Sequence, residues 1–175
     1  LRQQVIVDNR PGAAGSIAME QLVRSAPDGY TMAFAAINIA ITPHLMKVPY
    51  DTLKDLVAVS KVTSGPTVLV AHPSTPFNNL RELIDHARRK DKPTAIAGFG
   101  TGGLGHLTVV LLGRSTGLPF THVPYAGGGQ QVTDLIGGQV ELLLDYPAVL
   151  KQHLSAGKMK ALGVTGERRL AVLPD

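Results

Sequence analysis

The 175-residue sequence contains no cysteine and no tryptophan, and only four Phe and four Tyr. The missing cysteines exclude disulfide frameworks, thiolate metal sites and cysteine nucleophiles, and such a chain suits an oxidising periplasm. No apolar run approaches the roughly 18–20 residues that a membrane span needs, so direct membrane insertion is not expected. The net charge is only +4, and the basic residues form no stripe interleaved with aromatics, so nucleic acid is not expected as a partner. A mild positive bias does suit an anionic ligand.

Sequence motifs that mark enzymes and metal sites are missing too. There is no G-K-[ST] phosphate loop and no H-E-x-x-H helix, and Ser16 after Gly15 does not make a nucleophile elbow. The six histidines are dispersed at positions 44, 72, 86, 106, 122 and 153, so no metal site is expected. The sequence therefore predicts a protein that is not an enzyme and carries no cofactor.

Short apolar strands alternate with amphipathic helices along most of the chain. The predicted strands lie at 5–7, 30–36, 56–63, 67–71, 94–98, 120–123, 140–144 and 159–165. The predicted helices lie at 16–25, 79–90, 106–116, 130–136 and 148–156, with a short helical turn at 43–47. Asn79 and Glu82 have the spacing of a capping box, and Gly117 is placed to stop a helix. Four strand–helix units in a row predict an α/β fold with a mostly parallel sheet.

The best candidate for a domain boundary is Ser64-Gly65-Pro66, with a return crossing near residues 163–165. The chain opens directly before a predicted strand and ends on Leu173-Pro174-Asp175 without a closing element, so both ends look cut. No signal peptide is present, and we expect any targeting segment to lie outside this sequence.

Small residues and hydrogen-bonding groups follow several predicted strands, where open α/β sheets bind their ligands. The segments concerned are Gly98–Gly105, Pro124–Gly129, Asp145-Tyr146-Pro147 and Ile37-Asn38. In the first segment, glycines let backbone N–H groups converge on a ligand, and the helix behind adds the positive end of its dipole. We therefore interpret the stretch from Gly100 to His106 as a loop that holds an anion without a lysine or arginine.

The same loop also fits the dinucleotide fingerprint G-x-G-x-x-G over Gly100–Gly105, after a strand and before a helix. A dinucleotide-binding oxidoreductase domain is therefore an alternative. That fingerprint requires an acid about 20 residues later for the ribose hydroxyl. The first acid after the loop is Asp134, inside a predicted helix, which argues against a nucleotide.

Three side chains near the loop allow more than one interpretation. His106 could orient the loop or touch the ligand. Tyr125 could donate its hydroxyl or simply pack. The carboxylate of Asp145 would repel an anion, so it could bind a ligand amine, order a loop or hold water.

Several segments, in their order and spacing, resemble the Bug family, the TctC-like solute-binding receptors of tripartite tricarboxylate transporters. They run along nearly the whole chain and comprise Asp8–Ala13, Ala26–Thr31, Pro49–Asp55, Gly100–Leu107, Val123–Gly127 and Asp134–Val140. The sequence departs from the usual pattern at Gly103, where a serine is common. It also departs at Leu104 and Gly105, which replace small polar residues or proline. These departures imply a more apolar site that lacks one hydroxyl contact.

The resemblance implies an α/β, periplasmic-binding-protein-like fold of two lobes with mostly parallel sheets, which close on a carboxylate-bearing ligand. On that map residues 1–66 form a partial first lobe, 67–163 the second lobe, and 164–175 a return crossing into the first. The first lobe is incomplete, because the opening strand and a glycine-rich loop of the family are absent. The implied ligand-binding residues are Thr101, Gly102 and Gly103 through backbone N–H groups, Tyr125 and Gly127 on the same wall, His106 behind, Asp145 nearby, and Ala36 and Asn38 from the other lobe.

The implied function is that of a periplasmic receptor that delivers a small organic carboxylate to the membrane subunits of a transporter. No bond is broken in such a function, so neither a general base nor a nucleophile is needed. A third reading, beside the receptor and the nucleotide enzyme, is a stand-alone interaction module with a vestigial cleft, because the first lobe is truncated.

Overall fold

The structure, a computed structural model, describes residues 3–126, 128–171 and 173. The chain forms two compact units, one over Leu1–Ser60 and one over Lys61–Asp175. The lobe boundaries expected at 66/67 and 163/164 stay predictions. None of the described helices is long and apolar enough to cross a membrane.

The first unit contains two short helices and long segments without regular secondary structure. A 3-10 turn at Ala13–Gly15 leads into α1 (Ser16–Val23), and α2 covers Asn38–Leu45. Helix α2 begins well before the helical turn predicted at 43–47 and includes Pro43. The hydroxyl of Thr52 donates to the carbonyl of Ile39 at 2.9 Å and ties the following loop to α2.

The strands predicted at 5–7, 30–36 and 56–63 are wrong for this structure, because these segments have no regular secondary structure and pair with no described residue as strands. Their apolar side chains face solvent: Ile6 is 83%, Phe34 74% and Val57 89% exposed. A strand is stable only when a neighbour satisfies its backbone N–H and C=O groups. The described part of this unit supplies no such neighbour, so the alternating pattern remains without a sheet.

The second unit is built on a five-stranded sheet whose strands are β1 (Val68–Ala71), β2 (Thr94–Phe99), β3 (Phe120–Tyr125), β4 (Leu142–Asp145) and β5 (Lys160–Val164). Their order is β3-β2-β4-β1-β5. Strand β2 pairs in parallel with β3 and β4, whereas β1 runs antiparallel to both β4 and β5. Four strands thus run in one direction, which confirms the predicted α/β class with a mostly parallel sheet, and β1 is the exception.

Four helices follow the strands in this unit: α3 (Leu80–Ala87), α4 (Leu104–Thr116), α5 (Gly128–Ile136) and α6 (Pro147–Ser155). The predicted cap of α3 is confirmed, since Asn79 Oδ1 accepts from the Glu82 N–H at 2.9 Å and Asn79 Nδ2 donates to Glu82 Oε1 at 2.7 Å. Gly117 ends α4 with a φ of 69°, as its position predicted.

The core of the second unit lies on both faces of the sheet. Strands β1 and β4 are buried at every position, so neighbouring residues pack against opposite layers. Leu142 and Leu144 join Phe77, Leu83 and Ile96 on one face. Leu143 belongs to the other face, together with Val68, Val70, Leu135 and Leu150. This two-sided burial explains the continuous apolar run of β4.

Candidate functional site

Three strand ends meet at one edge of the sheet in the second unit. Phe99 at the end of β2 lies opposite Tyr125 at the end of β3. The parallel pairing of Ala97 with Leu143 brings Asp145, at the end of β4, to the same level. Because β2, β3 and β4 are parallel, the segments that follow them all leave from this edge. The edge therefore gathers the loop Gly100–Gly103, which we call the glycine loop, and Asp145.

The glycine loop is held by three hydrogen bonds of its own. The Gly100 N–H donates to the carbonyl of Tyr125 at 3.1 Å, and the Gly103 N–H donates to the carbonyl of Gly100 at 3.2 Å. The Gly102 N–H donates to Nδ1 of His106 at 3.1 Å. Gly102 has a φ of +86°. This left-handed conformation is costly for any residue with a Cβ atom, which glycine lacks. The loop is therefore a defined structure that leads directly into α4.

These bonds decide which amides of the loop remain open. The N–H groups of Thr101, Leu104 and Gly105 donate to no described residue. Leu104 and Gly105 start α4, where backbone donors have no partner within the helix and the dipole is positive. Gly102 and Gly103, by contrast, already use their N–H groups inside the loop. The contact of Thr101, Gly102 and Gly103 with a ligand stays a prediction, and the open donors lie at Thr101 and the first turn of α4.

Two imidazoles lie behind the glycine loop. The rings of His106 on α4 and His122 on β3 have centroids 5.0 Å apart and planes inclined by 33°. His122 Nε2 is shielded from solvent, and a Cβ added at Gly98 would lie 3.1 Å from it. Burial lowers the pKa of His122, the neighbouring His106 lowers this pKa further, and the backbone of Phe99 and Gly98 acts in the opposite direction. Nδ1 of His106 accepts from the glycine loop, and the contact of His106 with a ligand stays a prediction.

The hydroxyl of Tyr125 is directed at helix α5. It donates to Asp134 Oδ2 at 2.7 Å, and the other oxygen of Asp134 accepts from Gln130 Nε2 at 2.6 Å. The hydrogen bond to Asp134 raises the pKa of the Tyr125 phenol. Asp134 lies inside α5, as predicted, and not at the end of β3 where a dinucleotide site needs its acid. The tyrosine therefore ties the end of β3 to α5.

Asp145 is fully buried at the end of β4. Its Oδ2 accepts from Gln131 Nε2 at 2.7 Å, and its Oδ1 accepts from the Tyr146 N–H at 2.6 Å. A Cβ added at Gly128 would lie only 3.5 Å from Oδ2, so the start of α5 closes over the carboxyl group. Burial raises the pKa of Asp145. Among the roles considered for Asp145, these contacts fit the ordering of a loop, because the carboxyl group holds the backbone N–H of Tyr146.

The remaining predicted site residues lie in the first unit or outside the described residues. Asn38 Nδ2 donates to the carbonyl of Ala14, which links α2 to the turn before α1. Ala36 is exposed in the segment before α2, which has no regular secondary structure. Gly127 lies outside the described residues. The expectation that Ala36 and Asn38 face the glycine loop stays a prediction.

Three residues of this edge were not predicted as site residues: His122, Gln131 and Asp134. His122 sits in a strand, and its distance to His106 depends on how α4 packs on β3. Gln131 did carry a signal, since it is polar on the apolar face of α5, four residues before the buried Leu135. A buried polar side chain requires a partner, and Asp145 supplies it.

Comparisons with known proteins agree with this architecture. The family model described as "Tripartite tricarboxylate transporter family receptor" matches residues 1–175. The protein BugT of Bordetella pertussis is 35% identical over 181 residues, which cover 99% of this chain and 54% of BugT. The chain spans about half the length of the curated relatives it matches.

Solved structures show the same similarity. The periplasmic binding protein BugD superposes with a TM-score of 0.86 at 31% identity, over 97% of this chain and 57% of BugD. Rpa4515 of R. palustris, solved with adipate, gives 0.84 at 32%, over 94% and 56% of the two chains. MatC of Rhodopseudomonas palustris, solved with bound malate, gives 0.78 at 27%, over 93% and 56%.

The family match covers the whole chain, and the structure of BugD superposes on 97% of it. The chain therefore belongs to the receptor family of tripartite tricarboxylate transporters.

Proposed function

We propose that the protein is a periplasmic receptor that captures a carboxylate-bearing small molecule between two lobes and delivers it to the membrane subunits of a tripartite tricarboxylate transporter. The observation that carries this proposal is the set of open backbone N–H groups at Thr101, Leu104 and Gly105. Amides at a helix start bind anions through direct hydrogen bonds and through the helix dipole. The adipate and malate bound by two similar structures are both carboxylates, which supports the ligand class.

The chemistry of the site suits binding without reaction. Two titratable side chains of this edge are His106, whose Nδ1 accepts from the Gly102 N–H, and the buried Asp145. No nucleophile in the described part of the chain lies within hydrogen-bond reach of either group. A receptor needs only to bind its ligand and release it unchanged. Backbone N–H donors at the start of a helix are sufficient for such binding.

Calorimetric titration of the intact protein tests the ligand class. The panel consists of adipate, malate, a tricarboxylate, an aromatic acid, an amino acid and NAD. Saturable binding of at least one acid, without binding of NAD, is the expected result. Binding of NAD alone would favour the alternative of a dinucleotide-binding oxidoreductase domain. If no compound of the panel binds, the receptor proposal is wrong.

A proline substitution tests the open amides themselves. Leu104 is the first residue of α4, a position where helices accept proline, and Gly103 before it is extended with a ψ of 175°, as a residue preceding proline should be. Leu104→Pro therefore deletes the open N–H and keeps the helix, while Leu104→Ala removes the side chain and keeps the N–H. We expect Leu104→Pro to bind the acid about tenfold more weakly than Leu104→Ala. Equal affinities would remove the Leu104 amide from the site.

A further inference from the structure

Two aromatic side chains lie at strand ends on the edge that carries the glycine loop. Phe99 is the last residue of β2, and Tyr146 follows Asp145, the last residue of β4. The centroids of the two rings are 5.9 Å apart, and the ring planes are inclined by 34°. Rings at this separation are in contact and form one apolar surface, which we call the aromatic pair.

The backbone that carries the aromatic pair is held in place by the fold. Phe99 is paired with Tyr125 in the parallel register of β2 and β3. The Tyr146 N–H donates to Asp145 Oδ1 at 2.6 Å. Tyr146 also has the extended backbone of a residue that precedes proline, with a φ of −75° and a ψ of 145°. A ligand that meets the two rings therefore has little backbone to order.

Phe99 brings the aromatic pair next to the open amides. A Cβ added at Gly105 would lie 3.6 Å from the backbone nitrogen of Phe99, so the end of β2 lies against the first turn of α4. A Cβ added at Gly128 would lie 3.5 Å from Cε1 of Phe99, so its ring lies against the first turn of α5. The N–H of Gly105 is one of the open donors. One small molecule can therefore touch both the open amides and the ring of Phe99.

The aromatic pair does not serve the core of the second unit. Phe99 is half-buried and Tyr146 is 38% exposed, and neither belongs to the two apolar clusters that the sheet separates. Tyr125, at the end of the neighbouring strand, packs against one of these clusters and donates to Asp134. Partly open aromatic rings beside a few hydrogen-bond donors are typical of small-molecule sites.

The carboxyl group beside the aromatic pair has no free acceptor for a ligand. Asp145 is fully buried, and its two oxygens accept from Gln131 and from the Tyr146 N–H. An amine or a hydroxyl group on the ligand would therefore find no partner at this carboxyl. The edge offers backbone donors for a carboxylate and ring carbon for the remainder of the molecule.

We propose that the aromatic pair holds the carbon skeleton of the ligand, so that the protein selects a carboxylate attached to an aromatic ring. The inference rests on the proposed function, because it names the ligand class of the same site. Ring–ring contact stabilises a complex beyond the burial of carbon surface, since the quadrupoles of the rings attract each other in offset and edge-to-face arrangements. An aliphatic chain gains the burial alone.

The first experiment compares benzoate with heptanoate in calorimetric titrations of the intact protein. Both acids have one carboxylate and seven carbon atoms, so they differ mainly in the ring. We expect benzoate to bind roughly fivefold more tightly than heptanoate. The aliphatic acids adipate and malate complete the series and measure the proposed function by itself.

Four variants of the intact protein assign this preference to the rings. Phe99→Leu and Tyr146→Leu keep apolar bulk but remove one ring each, and they should lose most of the preference for benzoate. Tyr146→Phe keeps the ring without its hydroxyl and should restore the preference. The matched control is Leu111→Ala, at an apolar residue of α4 that is 64% exposed and lies about two helical turns beyond the glycine loop. Its preference should equal that of wild type.

A second readout locates the bound ring. In an NMR experiment on the intact protein with benzoate, nuclear Overhauser effects should connect the benzoate ring protons with those of Phe99 and Tyr146. If adipate or malate binds but benzoate has no advantage over heptanoate, the proposed function stands and the inference is overturned. A preference for benzoate that survives both leucine variants overturns it as well. If no acid binds at all, the proposed function fails, and the inference fails with it.

Discussion

Gln131 Nε2 donates a hydrogen bond of 2.7 Å to Asp145 Oδ2, and neither side chain reaches solvent. The carboxyl group has no cationic partner among the described residues, and Gln131 Oε1 bonds to none of them. A buried charge without a counterion is costly, which is why burial raises the pKa of Asp145. This pair ties α5, whose first residues border the site, to the end of β4.

Replacing Asp145 by Asn should stabilise the protein at neutral pH. The Asn carbonyl can keep the bond to the Tyr146 N–H, and a turned Gln131 can accept from the new amide through its unpartnered Oε1. We expect Asp145→Asn to raise the free energy of unfolding by about 1 kcal/mol in urea titrations followed by circular dichroism. Asp145→Ala leaves Gln131 unpartnered and should fall about 2 kcal/mol below Asp145→Asn. An Asn variant less stable than the Ala variant would contradict this account.

The same carboxyl group predicts a dependence of stability on pH. Its folded pKa is raised above the ordinary 3.8, so the folded state holds a proton where the unfolded chain has lost it. The free energy of unfolding from this group therefore rises as the pH falls through the folded pKa, and levels off below about 3.8. His122 acts with the opposite sign, because its lowered pKa costs stability below about 6.5. The difference between wild type and Asp145→Asn isolates the carboxyl, and it should be largest at neutral pH and vanish in acid.

Two glycines at the start of α4 should respond differently to alanine. Gly102 has a φ of +86°, and a left-handed conformation costs an L-residue about 1–2 kcal/mol. A Cβ at Gly105 would meet its nearest neighbour, the Phe99 nitrogen, at 3.6 Å, which is ordinary contact. Gly102→Ala should therefore lower the free energy of unfolding by about 1–2 kcal/mol, whereas Gly105→Ala should leave it unchanged or raise it slightly. Equal losses in both variants would show that the loop conformation is not the cause.

The bond between Tyr125 and Asp134 predicts a shift in phenol ionisation. Because the hydroxyl donates to the Asp134 carboxylate, the pKa of Tyr125 is raised above 10.0. Asp134→Asn removes the charge, so the Tyr125 phenol should ionise at lower pH than in wild type. An NMR titration of the tyrosine ring carbons separates Tyr125 from the other three tyrosines, which serve as internal controls. An unchanged Tyr125 titration would mean that the hydrogen bond does not persist in solution.

The backbone conformation of the turn before α1 predicts that a glycine substitution there stabilises the protein. Ala13 and Ala14 have φ values of 44° and 53°, which disfavour residues with a side chain. Ala14→Gly should relieve this cost and raise the free energy of unfolding by about 0.5–1 kcal/mol, measured by chemical denaturation. Ala18→Gly, inside α1, is the control and should lower it by a similar amount. A loss in both variants would argue against strain at Ala14.

The two units differ in how far the sequence predicted them. From residue 67 onward, every predicted strand and helix is present, with ends shifted by a few residues. Segments such as Leu142–Leu144 are apolar on both faces, which suits a strand between two helical layers and little else. In the first unit, the alternation around Phe34 is compatible with a strand, but pairing is not a local property. Without a described neighbour to accept its hydrogen bonds, the segment forms no strand and stays exposed.

The glycine loop also has features that the sequence predicted and features that it did not. Its glycines, its position after β2 and the helix start behind it followed from the sequence, because turn chemistry and helix ends are local. Which amides are open did not follow, since that depends on the ring of His106 reaching the Gly102 N–H and on Tyr125 accepting from Gly100.

The sequence by itself determined the α/β class of this protein, its family resemblance and the place of the glycine loop. Periodicity, turn residues and motif order are properties of neighbouring positions along the chain. The tertiary structure alone decided that His122 lies against His106, that Gln131 holds Asp145 out of solvent, and that Tyr125 binds Asp134. These contacts join different strands and helices, so they depend on how the elements pack, and packing is a property of the whole fold.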